Sequence, residues 1–179
     1  PVAMLAVAIM LIAKVLDWKD ILSEKGAWDA MFWMGGLVAL ATALAKSGFI
    51  AWIAKLIGTA VAAADMGWVA SFVLISLIYI YSHYCFASVT ARISAMYAAF
   101  VAVAAACGVP AMLVAITFGC FANLPISLTH YGNGCGPVYF GAGYVSQGEW
   151  WRNGFIITTI NVVIWLTIGM TWWKFIGLY

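Results

Sequence analysis

The chain has 179 residues, 66% of them hydrophobic and only 8% charged, with a mean hydropathy of +1.06. Soluble domains carry about 25% charged residues, so the composition excludes a water-soluble globular protein and marks an integral membrane protein. A net charge of +2 supplies neither a basic face for nucleic acid nor an acidic tail for a cationic partner.

At about 20 residues per crossing, the length allows roughly five to seven membrane-crossing elements, and nothing marks a separate soluble domain. Cys85, Cys107, Cys120 and Cys135 show neither C-x-x-C spacing nor acidic neighbours, so they read as small apolar packing residues and no metal site is expected. Residues 2–16 are an apolar run with no basic flank before it and no small-residue cleavage site after it. It reads as the truncated opening of a span rather than a signal peptide, and the chain as a piece of a longer protein.

Asp17, Lys19, Asp20, Glu24 and Lys25 gather round Trp18 as a first loop at a membrane surface. Residues 27–45 are the second apolar element, entered through Trp28 and Asp29, with Gly35 and Gly36 as a close-packing or kink point in a helix packed against protein. Residues 49–64 place Trp52 and Lys55 among apolar neighbours before Asp65, the pattern of an interfacial helix or a brief crossing. Residues 66–86 are a strong spanning candidate that runs into Ser82, His83 and Tyr84.

Ala87, Ser88, Val89 and Thr90 follow, and then an alanine-rich helix carries Arg92 as far as residue 106, ended by Gly108 and Pro110. No soluble loop separates these two helices, and their joint is made of Ser, Thr, His and Arg. That is how a re-entrant hairpin reads, with two helices meeting at a polar tip inside the membrane. Ala91, Ala95, Ala98, Ala99 and Ala102 recur at helical spacing and allow close helix approach.

Residues 111–122 start another helix, which breaks in residues 123–144. There Pro125, Pro137, Ser127, Thr129, His130, Asn123 and Asn133 crowd together with five glycines between Gly132 and Gly143. Backbone left unpaired at membrane depth is tolerated only where protein or a water-filled cavity covers it, so the stretch is either a broken helix facing a cavity or a solvent loop between spans. A short helical piece resumes at residues 138–144. Residues 146–152 read as an interfacial connection with Trp150 and Trp151 at headgroup level, and residues 154–173 as the final span, closed by Trp172, Trp173 and Lys174.

Both histidines, His83 and His130, fall in the two polar interruptions, and Arg92 stands beside the first. An ionisable group at membrane depth costs several kcal/mol, so it meets a partner, a pathway or a substrate; for Arg92 the bland alternative is snorkelling to an interface, and for each histidine a hydrogen-bonded packing role. Ser88 and Thr90 stand where a helix begins, as simple N-caps or as hydroxyls beside a helix end that suits a carboxylate. Asn123, Ser127, Thr129 and Asn133 can form a matching half-site, with Gly132, Gly134 and Gly136 allowing backbone approach. No Ser-His-acid set lies in the apolar region, and H-E-x-x-H and G-x-S-x-G are absent, so the chain does not read as an enzyme.

The segments SHYCFASVTARISAMYAAF (82–100), NLPISLTHYGNGCGPVYFGAGYVS (123–146) and WWKFIGLY (172–179) resemble the divalent anion:sodium symporter family, in its citrate/succinate and plastid 2-oxoglutarate/malate exchanger branch. The similarity runs over essentially the whole chain and corresponds to the C-terminal half of a family member. It implies an all-α membrane fold of two inverted repeats, of which this chain is one, each with a re-entrant hairpin and a broken helix, arranged as scaffold and transport domains in a homodimer.

On that pattern residues 1–65 are scaffold-type helices and an interfacial helix. Residues 66–179 are the transport-type region, with the hairpin at 82–106, the broken helix at 111–144 and the final span at 154–173. The resemblance also implies that Ser88, Val89 and Thr90 are the second copy of a Ser-Asn-Thr signature, and that Thr129, His130, Gly134 and Pro137 lie in the second substrate loop.

Val89 stands where the signature has asparagine, which removes an amide able to meet a carboxylate or a sodium ion. Arg92 or His130 is then the candidate fixed charge in place of sodium, and the expected activity is sodium-independent exchange of di- or tricarboxylates such as 2-oxoglutarate, malate, succinate or citrate. The alternatives are a sodium-coupled symporter, or a channel or non-transporting membrane subunit. Apart from sodium in the symport case no cofactor is expected. The expected partners are carboxylate anions, the lipid bilayer and a second copy of the chain, and the expected location is a bacterial inner membrane.

Overall fold

The structure, a computed structural model, describes residues 2–179. The side chains of Asp29, Ala30, Trp33, Met34, Leu37, Val38, Ala41, Ala45 and Ala62 lie outside the described residues, and with them the expected role of Asp29 at the start of the second element. Among the described residues every regular element is helical. That is the outcome apolar segments require in lipid, where a helix satisfies its own backbone. The chain divides into two compact units, Pro1–Trp33 and Met34–Tyr179.

In the first unit, α1 (Val2–Ile12) is apolar throughout and presents Val2, Met4, Leu5, Ile9 and Ile12 outward. The polar patch after it, expected as a loop, is a short helix, α2 (Trp18–Ser23). Asp17 N–H donates to Asp20 Oδ2 at 2.8 Å while Asp20 N–H donates to the Asp17 carbonyl at 3.0 Å, so paired aspartates satisfy the first turn locally. The indole of Trp28, in α3 (Lys25–Lys46), donates to the Ile21 carbonyl at 2.9 Å. Gly35 and Gly36 lie within α3, and among the described residues neither makes a close contact. The helix runs through both, and a Cβ at either would meet no heavy atom within 4 Å.

The second unit continues with α4 (Phe49–Ala63), α5 (Gly67–Tyr81) with a 3₁₀ turn at Ser82–Cys85, and α6 (Val89–Ala106). After these come α7 (Ala111–Phe121), a 3₁₀ turn at Leu124–Ser127, and α8 (Gly136–Gly141). Last are α9 (Gln147–Ile164), a π-helical turn at Trp165–Gly169, and α10 (Met170–Phe175). Phe72, Ile75, Tyr79 and Ile80 of α5 form the core with Met96 and Phe100 of α6 and Leu113, Val114, Phe118 and Phe121 of α7. The Tyr79 ring stacks on Phe118 at 4.7 Å and meets Phe100 at 5.7 Å. Ser82 Oγ reaches Met96 Sδ at 3.2 Å, so α5 and α6 run back along each other as a helical hairpin.

The alanine stripe of α6 splits in two. Ala91, Ala95 and Ala99, four residues apart, pack against the core, whereas Ala98 and Ala102 face outward. α4 buries Ile50, Ala54 and Val61 and approaches α6 so closely that a Cβ on Gly58 would stand 3.0 Å from Val103 Cγ1.

Among the described residues three helical stretches are long and apolar enough to cross a membrane: Gly67–Cys85, Val89–Ala106 and Gln147–Phe175, of 19, 18 and 29 residues. The last is about 43 Å long against a hydrocarbon core of about 30 Å. It begins seven residues before the expected 154, because Ser146 and Glu149 close a capping box. Ser146 N–H and Oγ–H donate to Glu149 Oε2 at 2.8 and 2.7 Å. Residues 146–152, expected as a connection, are therefore the cap and first turns of a helix. α8 likewise begins at Gly136, ahead of the expected 138.

Candidate functional site

The hairpin turns at an extended stretch between the 3₁₀ turn and α6. Ser88 is its N-cap: the backbone is extended and Oγ accepts the Ala91 N–H at 3.3 Å. Ser88 and Val89 are half-buried and Thr90 is exposed.

One turn on, Arg92 is 0% exposed. Its Nη1 donates to the Tyr79 carbonyl at 3.0 Å, and Nη2 donates to the carbonyls of Ala122 at 2.6 Å and Phe121 at 3.3 Å. The guanidinium lies over the Tyr79 ring, 4.6 Å from its centroid. Helices end with carbonyls that have no intrahelical partner, at the negative end of the helix dipole. Arg92 thus ties the ends of α5 and α7 together. Three hydrogen bonds commit both Nη atoms to main chain, while Nε has no partner among the described residues.

The break after α7 is seated on α9. Pro125 is buried in the 3₁₀ turn, and Ser127 Oγ and Thr158 Oγ1 share a hydrogen bond of 3.1 Å. A Cβ on Gly154 would overlap the Ser127 carbonyl oxygen, so glycine is required at that crossing.

Beyond it, Asn133 braces the loop. Its Oδ1 accepts the N–H groups of Cys135 and Gly136, each at 2.8 Å, and its Nδ2 donates to the Ile126 carbonyl at 3.2 Å. A Cβ on Gly136 would overlap the His130 carbonyl. His130 is half-buried and its Nδ1 accepts the Trp151 indole N–H at 3.3 Å; Phe140 stacks on its ring at 4.3 Å and Tyr131 meets it edge-on at 5.1 Å. Gly134 is exposed, and Pro137 is half-buried in the first turn of α8.

Two contacts bring this loop to the hairpin. Tyr131 Oη–H donates to the Tyr84 carbonyl at 2.8 Å. Gly132 lies against His83, where a Cβ would stand 2.5 Å from His83 Nε2 and 2.8 Å from Thr129 Oγ1. His83 and Thr129 are both 0% exposed, and the Thr129 hydroxyl has no hydrogen-bond partner among the described residues. The two polar interruptions therefore do meet, through His83, Tyr84, Tyr131 and Gly132. Ser88 and Thr90 take no part in these contacts.

Tyr79, Tyr131, Trp151 and Gly154 escape sequence reasoning as members of this region. One signal was present: the S-x-x-E pattern of Ser146 to Glu149 starts the last helix early enough to place Trp151, Gly154 and Thr158 at i, i+3 and i+7 on one face. Among the described residues no group of three His, Cys, Asp or Glu side chains is placed to hold a metal. The cysteines are not uniformly packing residues. Cys107 and Cys120 pack against the core, but Cys85 and Cys135 are exposed.

Residues 1–179 match the family model described as the sodium:sulfate symporter transmembrane region. The chain belongs to that family. It is 44% identical over 177 residues to dicarboxylate transporter 1 of the Spinacia oleracea chloroplast, covering 99% of this chain and 31% of the relative. It is 41% identical to dicarboxylate transporter 1 of the Arabidopsis thaliana chloroplast, with 99% and 32% covered. A Bacillus subtilis (strain 168) protein provisionally named malate transporter YflS is 44% identical, with 99% and 37% covered. The chain thus spans about a third of the length of these relatives, less than the half that its motifs suggest.

Proposed function

We propose that this chain contributes one inverted repeat to a secondary transporter that exchanges di- or tricarboxylates of the 2-oxoglutarate, malate, succinate and citrate type. The observation that carries the reading is the meeting of two polar breaks inside an apolar bundle, where Tyr131 bonds to Tyr84 and Gly132 lies on His83. The names of the relatives supply the substrate class.

In this reading α5, α6 and the intervening turn are a re-entrant hairpin. Ser88, Val89 and Thr90 at its tip, with Thr129, His130, Gly134 and Pro137 of the loop, are this repeat's share of the carboxylate site. The exposed hydroxyl of Thr90 and the N-terminal end of α6 favour an anion.

Residues 1–65 serve as scaffold and residues 66–179 as the moving element of a homodimer in a bacterial inner membrane. Transport is exchange without sodium, since Val89 offers no amide to an ion. Arg92 acts indirectly, by locking helix ends next to the site. Counterflow in liposomes tests the reading with the intact transporter that carries this chain. Uptake of labelled malate is expected only when the lumen holds unlabelled dicarboxylate, and is unchanged when potassium replaces sodium. Uptake into empty liposomes would point to a channel, and uptake that follows the sodium gradient to symport.

A further inference from the structure

The His130–Trp151 pair fixes more than a position. An indole N–H donates and cannot accept, so the Nδ1 it reaches at 3.3 Å presents a lone pair. A neutral imidazole with its lone pair on Nδ1 carries its hydrogen on Nε2. We propose that Trp151 holds His130 as this neutral Nε2–H tautomer, which makes His130 a hydrogen-bond donor to a substrate carboxylate rather than a fixed cation. The donor role rests on reading residues 129–137 as the substrate loop.

The surroundings agree. Phe140 at 4.3 Å and Tyr131 at 5.1 Å oppose rotation of the imidazole out of the indole's reach. Trp151 itself meets the rings of Tyr84 at 5.6 Å and Tyr131 at 6.3 Å. It sits three residues before Gly154, where α9 is pressed on the loop. Protonating Nδ1 would set an imidazolium N–H against the indole N–H, two donors with no acceptor between them.

The titratable groups on these elements do not offset that opposition. Tyr84 and Tyr131 are neutral at neutral pH. On α9, Glu149 turns back onto Ser146 at 2.7 Å, and Arg152 is a cation that can only disfavour another. Trp151 is therefore a positioning residue, and the charge on His130 stays at zero.

The test is nitrogen-15 solid-state NMR of histidine-labelled intact transporter in lipid, with the His130 signals assigned by their loss in His130→Gln. The wild type at neutral pH is expected to show a neutral ring with a protonated Nε2, and Trp151→Phe to lose that bias while Phe140 and Tyr131 keep the ring in place. An imidazolium or an Nδ1–H ring in the wild type, or a Trp151→Phe spectrum identical to wild type, overturns the proposal.

Uptake separates donor from cation. His130→Gln keeps a neutral donor near Nε2 and is expected to retain malate exchange to within about fivefold, the worth of one neutral hydrogen bond, whereas His130→Arg loses it; the reverse order overturns the donor role. Malate should also shift the Nε2 signal. If the tautomer is as stated but malate leaves that signal in place, and both His130 variants exchange as wild type, the substrate-loop reading fails and the tautomer assignment stands.

Discussion

Arg92 and the loop around Thr129 and His130 occupy the same apolar bundle but are bonded to different degrees. Arg92 is wholly buried and donates three Nη hydrogen bonds, to the carbonyls of Tyr79, Phe121 and Ala122, although its Nε has no partner among the described residues. In the loop, His130 is half-buried with Trp151 on one nitrogen. Thr129 is buried with a hydroxyl that has no hydrogen-bond partner among the described residues. A charge in an apolar interior persists where acceptors meet it, and then it holds helices together. A buried hydroxyl without a partner, such as that of Thr129, leaves a ligand something to bond to, whereas both Nη atoms of Arg92 are committed to main chain. In the proposed reading the loop is therefore the site and Arg92 its frame.

The frame is most easily broken where backbone meets backbone. Gly154→Val puts a Cβ onto the Ser127 carbonyl oxygen and against Leu128, and backbone cannot swing aside as a side chain does. The loss should exceed the roughly 1–3 kcal/mol of ordinary overpacking, and little folded transporter is expected in detergent by size exclusion or thermal melting. A Gly154→Val protein that melts like the wild type would mean that α9 does not seat the loop.

Arg92→Met comes next and tests the contrast directly. It strands the Phe121 and Ala122 carbonyls at the end of α7, at about 1–3 kcal/mol for each buried group left unsatisfied, whereas the Tyr79 carbonyl keeps the Ser82 hydroxyl at 2.7 Å. Arg92→Lys is expected to rescue only in part, because a compact ammonium cannot span acceptors the way a planar guanidinium does. The protein that still folds should exchange the same substrates with the same indifference to sodium. A stable Arg92→Met transporter that becomes sodium-dependent would move Arg92 from the frame into the site.

Ser88→Ala has a smaller reach. Its Oγ caps α6 through Ala91, and loss of an N-cap costs about 1 kcal/mol, so melting should fall by a few degrees. If the hydroxyl also meets substrate, the apparent affinity for malate weakens at the same time. Reduced melting with unchanged affinity would leave Ser88 a cap and nothing more.

The legible parts of this chain are those that one segment determines alone. The apolar runs at residues 66–86 and 89–106 announce their helices, and the glycines and prolines of 123–144 announce a break, because both follow from local propensity and from the demand that backbone bonds be met in lipid. What Arg92 does was not legible, since its acceptors sit at positions 79, 121 and 122 and only packing brings them together. His130 illustrates the same limit from the other side. A tryptophan pair near a membrane surface ordinarily reads as an interfacial anchor, and nothing local says that one indole turns inward to a histidine. The start of the last helix was written in Ser146 and Glu149; a capping box among Trp, Gly and Gln was simply outweighed by the look of a loop.

Thr129→Val disturbs the structure least and separates frame from site most sharply. Valine matches threonine in shape, and the hydroxyl it removes is buried without a partner among the described residues. An unmet polar group costs desolvation and returns nothing, so the variant should melt at the wild-type temperature or slightly above, by up to about 1 kcal/mol of added stability. If the hydroxyl is kept for a substrate carboxylate, malate counterflow must fall in the same protein, through weaker apparent affinity rather than through less folded transporter. Restoring the hydroxyl with Thr129→Ser should bring uptake back without the packing. A Thr129→Val transporter that is both more stable and fully active would show that the orphan hydroxyl serves neither fold nor transport, and would remove the distinction on which the loop is read as the site.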